Sequence, residues 1–249
     1  MGIQSIPEHE LARLREKAKE ITGSQFDYQS SYTELLSRRL NGEPLQYIEE
    51  YVPFYSIQIN VDQRCLIPRP ETEYMIEIIK NNIDTPKKIL DVGTGTGCIA
   101  LMMKKLFPDS VVHAVDISND ALSLAKENAE INNLEVNFYQ SDLLSNVETL
   151  DFDLIVANLP YIPTSTLSTH NKEVIDHEPL IALDGGEDGR LYIDKLQNDL
   201  KNIDSKELVL VLEVDTSHAE SLLSSFTDWE DVKLEKDLVE RDRYIVARK

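Results

Sequence analysis

Asn158-Leu159-Pro160-Tyr161 is the stretch of this chain whose residue types and order can do chemistry. It follows the apolar run Leu154-Ile155-Val156-Ala157, which reads as a buried strand opening into a loop. The Asn158 side-chain oxygen can accept one N–H of a planar NH2 group, and the Leu159 carbonyl can accept the other. Pro160 stiffens the turn, and Tyr161 can pack on the planar group or wall its slot. A nitrogen of this kind, in an amide or a base, is a poor nucleophile. It needs alignment with an electrophile and a place for developing positive charge. No strong base is required, because the proton can leave after the transfer. Asn and Pro are also common turn residues, so the reading depends on finding a site for the electrophile.

That site lies upstream, at Asp91-Val92-Gly93-Thr94-Gly95-Thr96-Gly97, between a predicted strand and a predicted helix. Glycines let the backbone turn tightly and let a ligand approach closely. The spacing is G-x-G-x-G, not the G-x-G-x-x-G of a pyrophosphate site. Asp91 before the loop can meet an ammonium, directly or through water. Both details favour S-adenosyl-L-methionine over a dinucleotide. Asp116, with Ile117 beside it, ends the next strand, where a carboxylate can accept both ribose hydroxyls. Asp142 ends the third strand and can accept an adenine amino group, with Leu143 beside the ring. Capping of a loop is the ordinary alternative for either aspartate alone. Methyl transfer to a planar nitrogen is therefore the expected chemistry, with an amide and a base both open.

The elements that must hold these residues alternate from residue 86 onward. Lys88–Val92, Val111–Val115, Val136–Phe138, Phe152–Ala157, Leu208–Leu212 and Tyr244–Ala247 read as strands, the fifth as central and the last as closing the sheet. Cys98–Leu106 and Asp120–Ile131 read as helices, the second capped by Ser118. This predicts an α/β fold: a doubly wound, mostly parallel, Rossmann-like sheet of the class I methyltransferase kind. In front, residues 10–22 and Ser31–Leu40 have helical spacing, with Asn41-Gly42 as a stop. Residues 51–66 read as a hairpin turning within Asn60–Arg64. Pro68-Arg69-Pro70 breaks that pattern before a helix at 71–81. The boundary is expected near residue 70, dividing a small helical and hairpin unit (1–70) from the methyltransferase domain (71–249).

Bulk composition narrows the partners. With 25 Lys and Arg against 45 Asp and Glu, the net charge is −20, and a field of that sign opposes phosphate backbones. Direct nucleic-acid binding is not expected. No apolar run approaches a membrane span, the first 20 residues lack a signal-peptide core, and Cys65 and Cys98 are too few for a disulfide framework. A cytoplasmic protein with two reduced cysteines is expected. His9, His113, His170, His177 and His218 show no metal-ligand spacing, so no metal is expected, and His113 reads as packing within a strand. The long loop 164–188 is expected to help enclose the acceptor.

Several motifs resemble one known family. Gly42-Glu43-Pro44-Leu45-Gln46-Tyr47, Leu66-Ile67-Pro68-Arg69-Pro70-Glu71-Thr72-Glu73, and Glu178-Pro179-Leu180 through Gly185-Gly186 and Asp188-Gly189 resemble signatures of the HemK/PrmC release-factor glutamine N5-methyltransferases. The resemblance implies methylation of the glutamine amide in the Gly-Gly-Gln loop of class I peptide chain release factors. It implies that Gly93 to Gly97, Asp116, Leu143 and Asn158 bind S-adenosylmethionine, and that Asn158 to Tyr161 hold the glutamine. It places Glu71 and Thr72 near the cofactor, with Arg69 positioning that segment and the front unit meeting the release factor. A monomer is expected. Helix capping is the alternative role for Glu71 and Thr72. Besides a front unit that looks shorter than the family's, this chain departs from the family in three places. Leu159 stands where Pro is usual, a usual glycine is replaced within Glu49-Glu50, and Glu213-Val214-Asp215 matches the usual strand end only loosely. Rival readings are an rRNA adenine N6-methyltransferase, which also shows Asn-Leu-Pro-Tyr, a ribosomal-protein glutamine methyltransferase, a DNA adenine methyltransferase, and a non-catalytic binding module. Pro68 to Glu73 and the acidity favour release factors.

Overall fold

The computed structural model describes residues 6–23, 28–148, 151–201, 203 and 207–249. Seven strands form one sheet: β3 (Lys88–Val92), β4 (Val111–Asp116), β5 (Asn137–Gln140), β6 (Leu154–Asn158), β7 (Val209–Glu213), β8 (Asp231–Lys236) and β9 (Asp242–Arg248). Their order is β5-β4-β3-β6-β7-β9-β8. The first five run parallel, and β9 runs antiparallel to both its neighbours. Residues of β6 and β7 are almost wholly apolar and buried, as a strand covered on both faces requires. Chain order reverses between β3 and β6, so ligands are expected outside the carboxyl ends of those strands.

Helices α4 (Pro70–Asn82), α5 (Cys98–Leu106), α6 (Asn119–Asn132), α7 (Lys172–His177), α8 (Leu191–Leu200) and α9 (Ala219–Leu223) complete the layers. Pro70 occupies the first turn of α4, where its missing N–H costs nothing. Ser118 caps α6 by accepting from the Ala121 N–H at 3.2 Å. One apolar cluster, including Ile89, Val156 and Val211, lies under α4, α5 and α6. The other, including Leu90, Ile155 and Leu210, lies under α8 and α9.

In front stand α1 (Glu8–Thr22), α2 (Tyr28–Leu40), α3 (Leu45–Glu49) and the hairpin β1 (Tyr51–Phe54) and β2 (Ile57–Asn60). The three helices share a small cluster of Leu14, Ala18, Leu35, Leu45 and Ile48. The hairpin instead contributes Val52, Phe54, Ile57 and Ile59 to the sheet's own core. Asn128 of α6 holds it through two bonds to the Asn60 backbone, at 2.7 and 3.0 Å.

Two expectations are corrected. The hairpin turns at Tyr55-Ser56, not within Asn60–Arg64. Tyr55 adopts φ 53°, so the turn lacks the Gly, Asn or Pro that would signal it. Tyr244–Ala247 does not close the sheet, since β8 lies outside it. The loop 164–188 carries α7 and two short 3-10 turns, at Thr164–Thr169 and Leu180–Ala182. The Glu49-Glu50 departure has a local account. Glu50 ends α3 at φ 71°, a conformation in which glycine alone is free of strain, and Lys17 pairs with its carboxylate at 2.9 Å.

Candidate active site

A cleft opens at the reversal of strand order. Four strand exits line it: Gly93 to Thr96 after β3, Asp116 to Ser118 after β4, Ser141 to Leu143 after β5, and Asn158 to Pro160 after β6. Pro68 and Thr72 close it from α4 and the segment before it, and Pro179, Ile181 and Ala182 from the long loop. The motifs that are distant in sequence therefore meet around one space.

The glycine loop is shaped by two aspartates. Asp116 accepts the Gly95 N–H on Oδ2 and the Ser118 N–H on Oδ1, both at 2.9 Å. Burial raises its carboxyl, and these backbone N–H groups oppose that rise. Asp91 lies beneath the loop, fully buried, and does not line the cleft. Its Oδ2 accepts from Thr94 Oγ1 at 2.7 Å and the Ala100 N–H at 3.1 Å, while its Oδ1 has no partner. Burial pushes the Asp91 carboxyl up to about 7. Gly97 is likewise off the cleft and packs against Ala125, whose Cβ lies 3.1 Å from where its own would stand. Leu143 is buried at φ 49°, a strained backbone of the kind found at ligand clamps.

Gly95 shows why the loop suits a ligand. At φ 53°, a Cβ there would meet no protein atom within 4 Å, so the space above it belongs to the cleft. Gly95→Ala is expected to weaken S-adenosylhomocysteine binding at least tenfold by calorimetry, while lowering stability by only about 1–2 kcal/mol. Unchanged affinity would remove this loop from the cofactor site. The bare backbone at Gly95 and the exposed Asp142 at the rim fit a nucleoside such as that of S-adenosylmethionine.

Across the cleft, Asn158 is held from behind. Its Nδ2 donates to Thr72 Oγ1 at 2.9 Å and to Glu213 Oε2 at 3.0 Å. Thr72 Oγ1 in turn donates to the same Glu213 oxygen at 2.8 Å. The Asn158 NH2 end is thus turned inward, which leaves its Oδ1 as the group it offers to the cleft. Tyr161 does not line the cleft; its hydroxyl stands 3.5 Å from Glu213 Oε1, behind Asn158. Burial among these groups raises the tyrosine hydroxyl. Leu159 is buried, with its Cδ2 2.9 Å from where a Gly93 Cβ would stand. Pro160 and Tyr161 pack against Gly185 and Gly189, whose missing Cβ atoms would lie 2.8 Å from the Pro160 oxygen and 2.3 Å from the Tyr161 oxygen.

Of the Pro68 to Glu73 segment, Thr72 reaches the cleft, whereas Arg69 and Glu71 do not. Arg69 donates to Glu178 Oε1 at 2.6 Å, and the Ile67 N–H donates to Glu178 Oε2 at 3.1 Å. Arg69 thereby ties this segment to the long loop. Glu71 stands 3.5 Å from Arg241, and its backbone oxygen accepts from Tyr244 at 2.7 Å. Neither Glu71 nor Thr72 caps α4, since no side chain bonds its first turn. Arg39 of α2 reaches Glu173 of α7 at 2.7 Å, which binds the front helices to the same loop. Two buried acids, Glu178 and Glu213, were missed as site residues. Glu213 offered only the signal of an acidic residue ending an apolar strand, and Glu178 that of an acid inside a family motif. His113 packs edge-on to Tyr139 and Phe152 at 6.0 and 5.6 Å, as its place in the strand predicted. Among the described residues, no group of three His, Cys, Asp or Glu gathers to hold a metal, and no helix is long and apolar enough to cross a membrane.

The profile of the Methyltransferase small domain family matches residues 70–187. A release factor glutamine methyltransferase of Koribacter versatilis is 38% identical over 226 residues, which cover 90% of this chain and 81% of that one. One from Bacillus cereus is 33% identical over 247 residues, covering 95% and 85%. In fold, the chain is similar to a methyltransferase from Pyrococcus furiosus, with TM-score 0.59 and 20% identity over 87% of this chain and 98% of that one. Asn158 at a cleft lined by four strand exits, in a chain this similar to those relatives, leads to one assignment: the chain belongs to the release factor glutamine methyltransferase family.

Proposed function

We propose that this enzyme methylates the side-chain amide nitrogen, N5, of the glutamine in the Gly-Gly-Gln motif of class I peptide chain release factors. The observation that carries the reading is the inward orientation of the Asn158 NH2 end, bonded to Thr72 and Glu213. A side chain so held presents an acceptor and selects an acceptor substrate that brings N–H groups. S-adenosylmethionine, the methyl donor, supplies when bound a methyl group on positively charged sulfur. Gly93, Thr94, Gly95, Thr96, Asp116, Ile117, Asp142 and Leu143 would hold it, with Asp91 and Gly97 shaping the loop from beneath.

Asn158 Oδ1 and the Leu159 carbonyl then accept the two N–H groups of the glutamine amide. This fixes the amide plane and offsets the positive charge the nitrogen acquires on methylation. One proton leaves that nitrogen for water, giving the N-methyl amide. Pro160 and Tyr161 keep the turn in place, Thr72 holds Asn158, and Arg69 with Glu71 anchors the segment that carries Thr72. Residues 1–70 would dock the release factor, while residues 71–249 carry the transfer. The net charge of −20 supports a protein acceptor over a phosphate backbone. In this reading the enzyme works in the cytoplasm as a monomer.

The test is transfer of radiolabelled methyl to a recombinant class I release factor and to its Gly-Gly-Ala form. Label in the first and none in the second is the expected result. Label in rRNA or in a ribosomal protein, with none in the release factor, overturns the reading.

A further inference from the structure

Glu213 ends β7 beside Asn158, the two residues paired in register across the parallel strands. It is 1% exposed, and nothing in the transfer just described uses its charge. Isolated carboxylates are expensive to bury, and one is retained at such a place only when partners hold it. Its partners here are the acceptor grip itself. Oε2 takes hydrogens from Asn158 Nδ2 and Thr72 Oγ1, and Oε1 faces the Tyr161 hydroxyl.

This geometry has a consequence for Asn158. The two ends of an asparagine amide have nearly the same shape but opposite hydrogen-bonding character. What chooses between them is the group behind. An ionised Glu213 can only accept, so it draws in the NH2 end and turns the oxygen toward the cleft. A protonated Glu213 can donate to that oxygen, which favours the flipped amide and turns NH2 groups toward the incoming NH2 of the substrate. Two donors then face each other, and the grip is lost. We propose that Glu213 is a positioning residue, whose buried carboxylate sets which end of the Asn158 amide faces the cleft and strengthens its oxygen as an acceptor. The proposal rests on the functional reading above for its effect on turnover, and on the geometry alone for its effect on Asn158.

The groups around Glu213 place its ionisation where it matters. Burial raises its carboxyl to about 7, opposed by the Thr72 hydroxyl, by Arg243 of β9 and by Tyr161, while Glu71 of α4 adds to the rise. Tyr244 of β9 and Cys98 at the start of α5 are the other titratable groups whose protons respond to it, and burial holds both in their neutral forms. The sign follows. Below about 7 the carboxyl holds its proton and the flipped amide is favoured, so turnover falls as pH falls. Above about 7 the carboxylate is present and turnover reaches its plateau. Asp91 also titrates near 7, but it lies under the cofactor loop, so saturating cofactor separates the two.

Two measurements test this. In the first, the Asn158 side-chain NH2 resonances are assigned by their loss in Asn158→Ala and followed by NMR from pH 5 to 9. They are expected to shift with a single midpoint near 7 in the natural protein, and to be pH-independent in Glu213→Gln. Resonances that do not move in the natural protein overturn the proposal, whatever the enzyme methylates. In the second, kcat for release-factor methylation is measured at saturating S-adenosylmethionine across the same range. Glu213→Gln is expected to lower the plateau at least tenfold, flatten the rise near 7 and leave KM for the release factor within about twofold, with Glu213→Asp recovering part of the pH dependence. A Gln variant that melts with the natural protein yet keeps its rate and its slope overturns the proposal. Absence of release-factor labelling by the natural protein rejects the functional reading instead, and the NMR titration still decides the role of Glu213.

Discussion

Asn158→Ala is expected to cut kcat for release-factor methylation by two to three orders of magnitude. That is about 2.7–4 kcal/mol, the range for losing one preorganised hydrogen-bonding group at a transition state. The effect is large because the oxygen is aimed before substrate arrives: the NH2 end is turned to Thr72 and Glu213. The fold should survive. Asn158 lies at the end of β6, and its removal leaves Thr72 and Glu213 bonded to each other at 2.8 Å. A stability loss near 1 kcal/mol is expected, or about 2–4 °C in a chain of this size. S-adenosylhomocysteine should bind within about tenfold of the natural protein, since three other strand exits line its cleft. Turnover within about tenfold, or 1.4 kcal/mol of barrier, would show that Asn158 is not the acceptor grip.

Gly189→Ala is the second large effect, and it acts from outside the cleft. Gly189 adopts φ 79°, and a Cβ there would stand 2.3 Å from the Tyr161 oxygen, 2.8 Å from His218 Nε2 and 3.2 Å from Pro163 Cδ. Backbone cannot yield as a flexible side chain can, so the exit of β6 must shift. A displacement near 1 Å of a positioning group costs about a hundredfold in rate. Strain at positive φ adds about 1–2 kcal/mol of destabilisation before any clash. The comparison is Gly23→Ala, which has φ 49° but no atom within 4 Å of the added Cβ. It is expected to lose stability and keep its rate. Matched kcat values for the two variants, measured well below either melting point, would show that Gly189 does not set the position of Tyr161.

Much of this molecule was legible because its signals are local. Cys98–Leu106 emerged as a helix with the same bounds the structure gives, since a glycine loop, a run of helix formers and a final Phe-Pro mark both ends. The Ser118 cap needed only three residues of context. The misses are non-local or unmarked. The Tyr55-Ser56 turn has no turn-forming residue, and its positive φ is held by tertiary contacts such as the Glu73 carboxylate that accepts the Tyr55 N–H at 2.5 Å. Strand β8 is an edge strand of Asp231-Val232-Lys233-Leu234-Glu235-Lys236, half-exposed along much of its length, so it lacks the apolar run that revealed β7. Leu191–Leu200 was passed over although Leu196 and Leu200 are fully buried in the second core.

At the cleft the division is sharper. The sequence by itself determined the glycine loop, the acidic residues that follow each strand, and an Asn before Pro-Tyr, because residue type and order state what a strand exit can offer. Only the tertiary structure decided which atom of Asn158 is offered. That choice rests on Thr72, 86 residues away, and Glu213, 55 residues away. It rests too on burial that drives the Glu213 carboxyl toward neutral pH. Hydrogen-bond direction and desolvation are properties of a filled space, and they exist only once β6, β7 and α4 have packed.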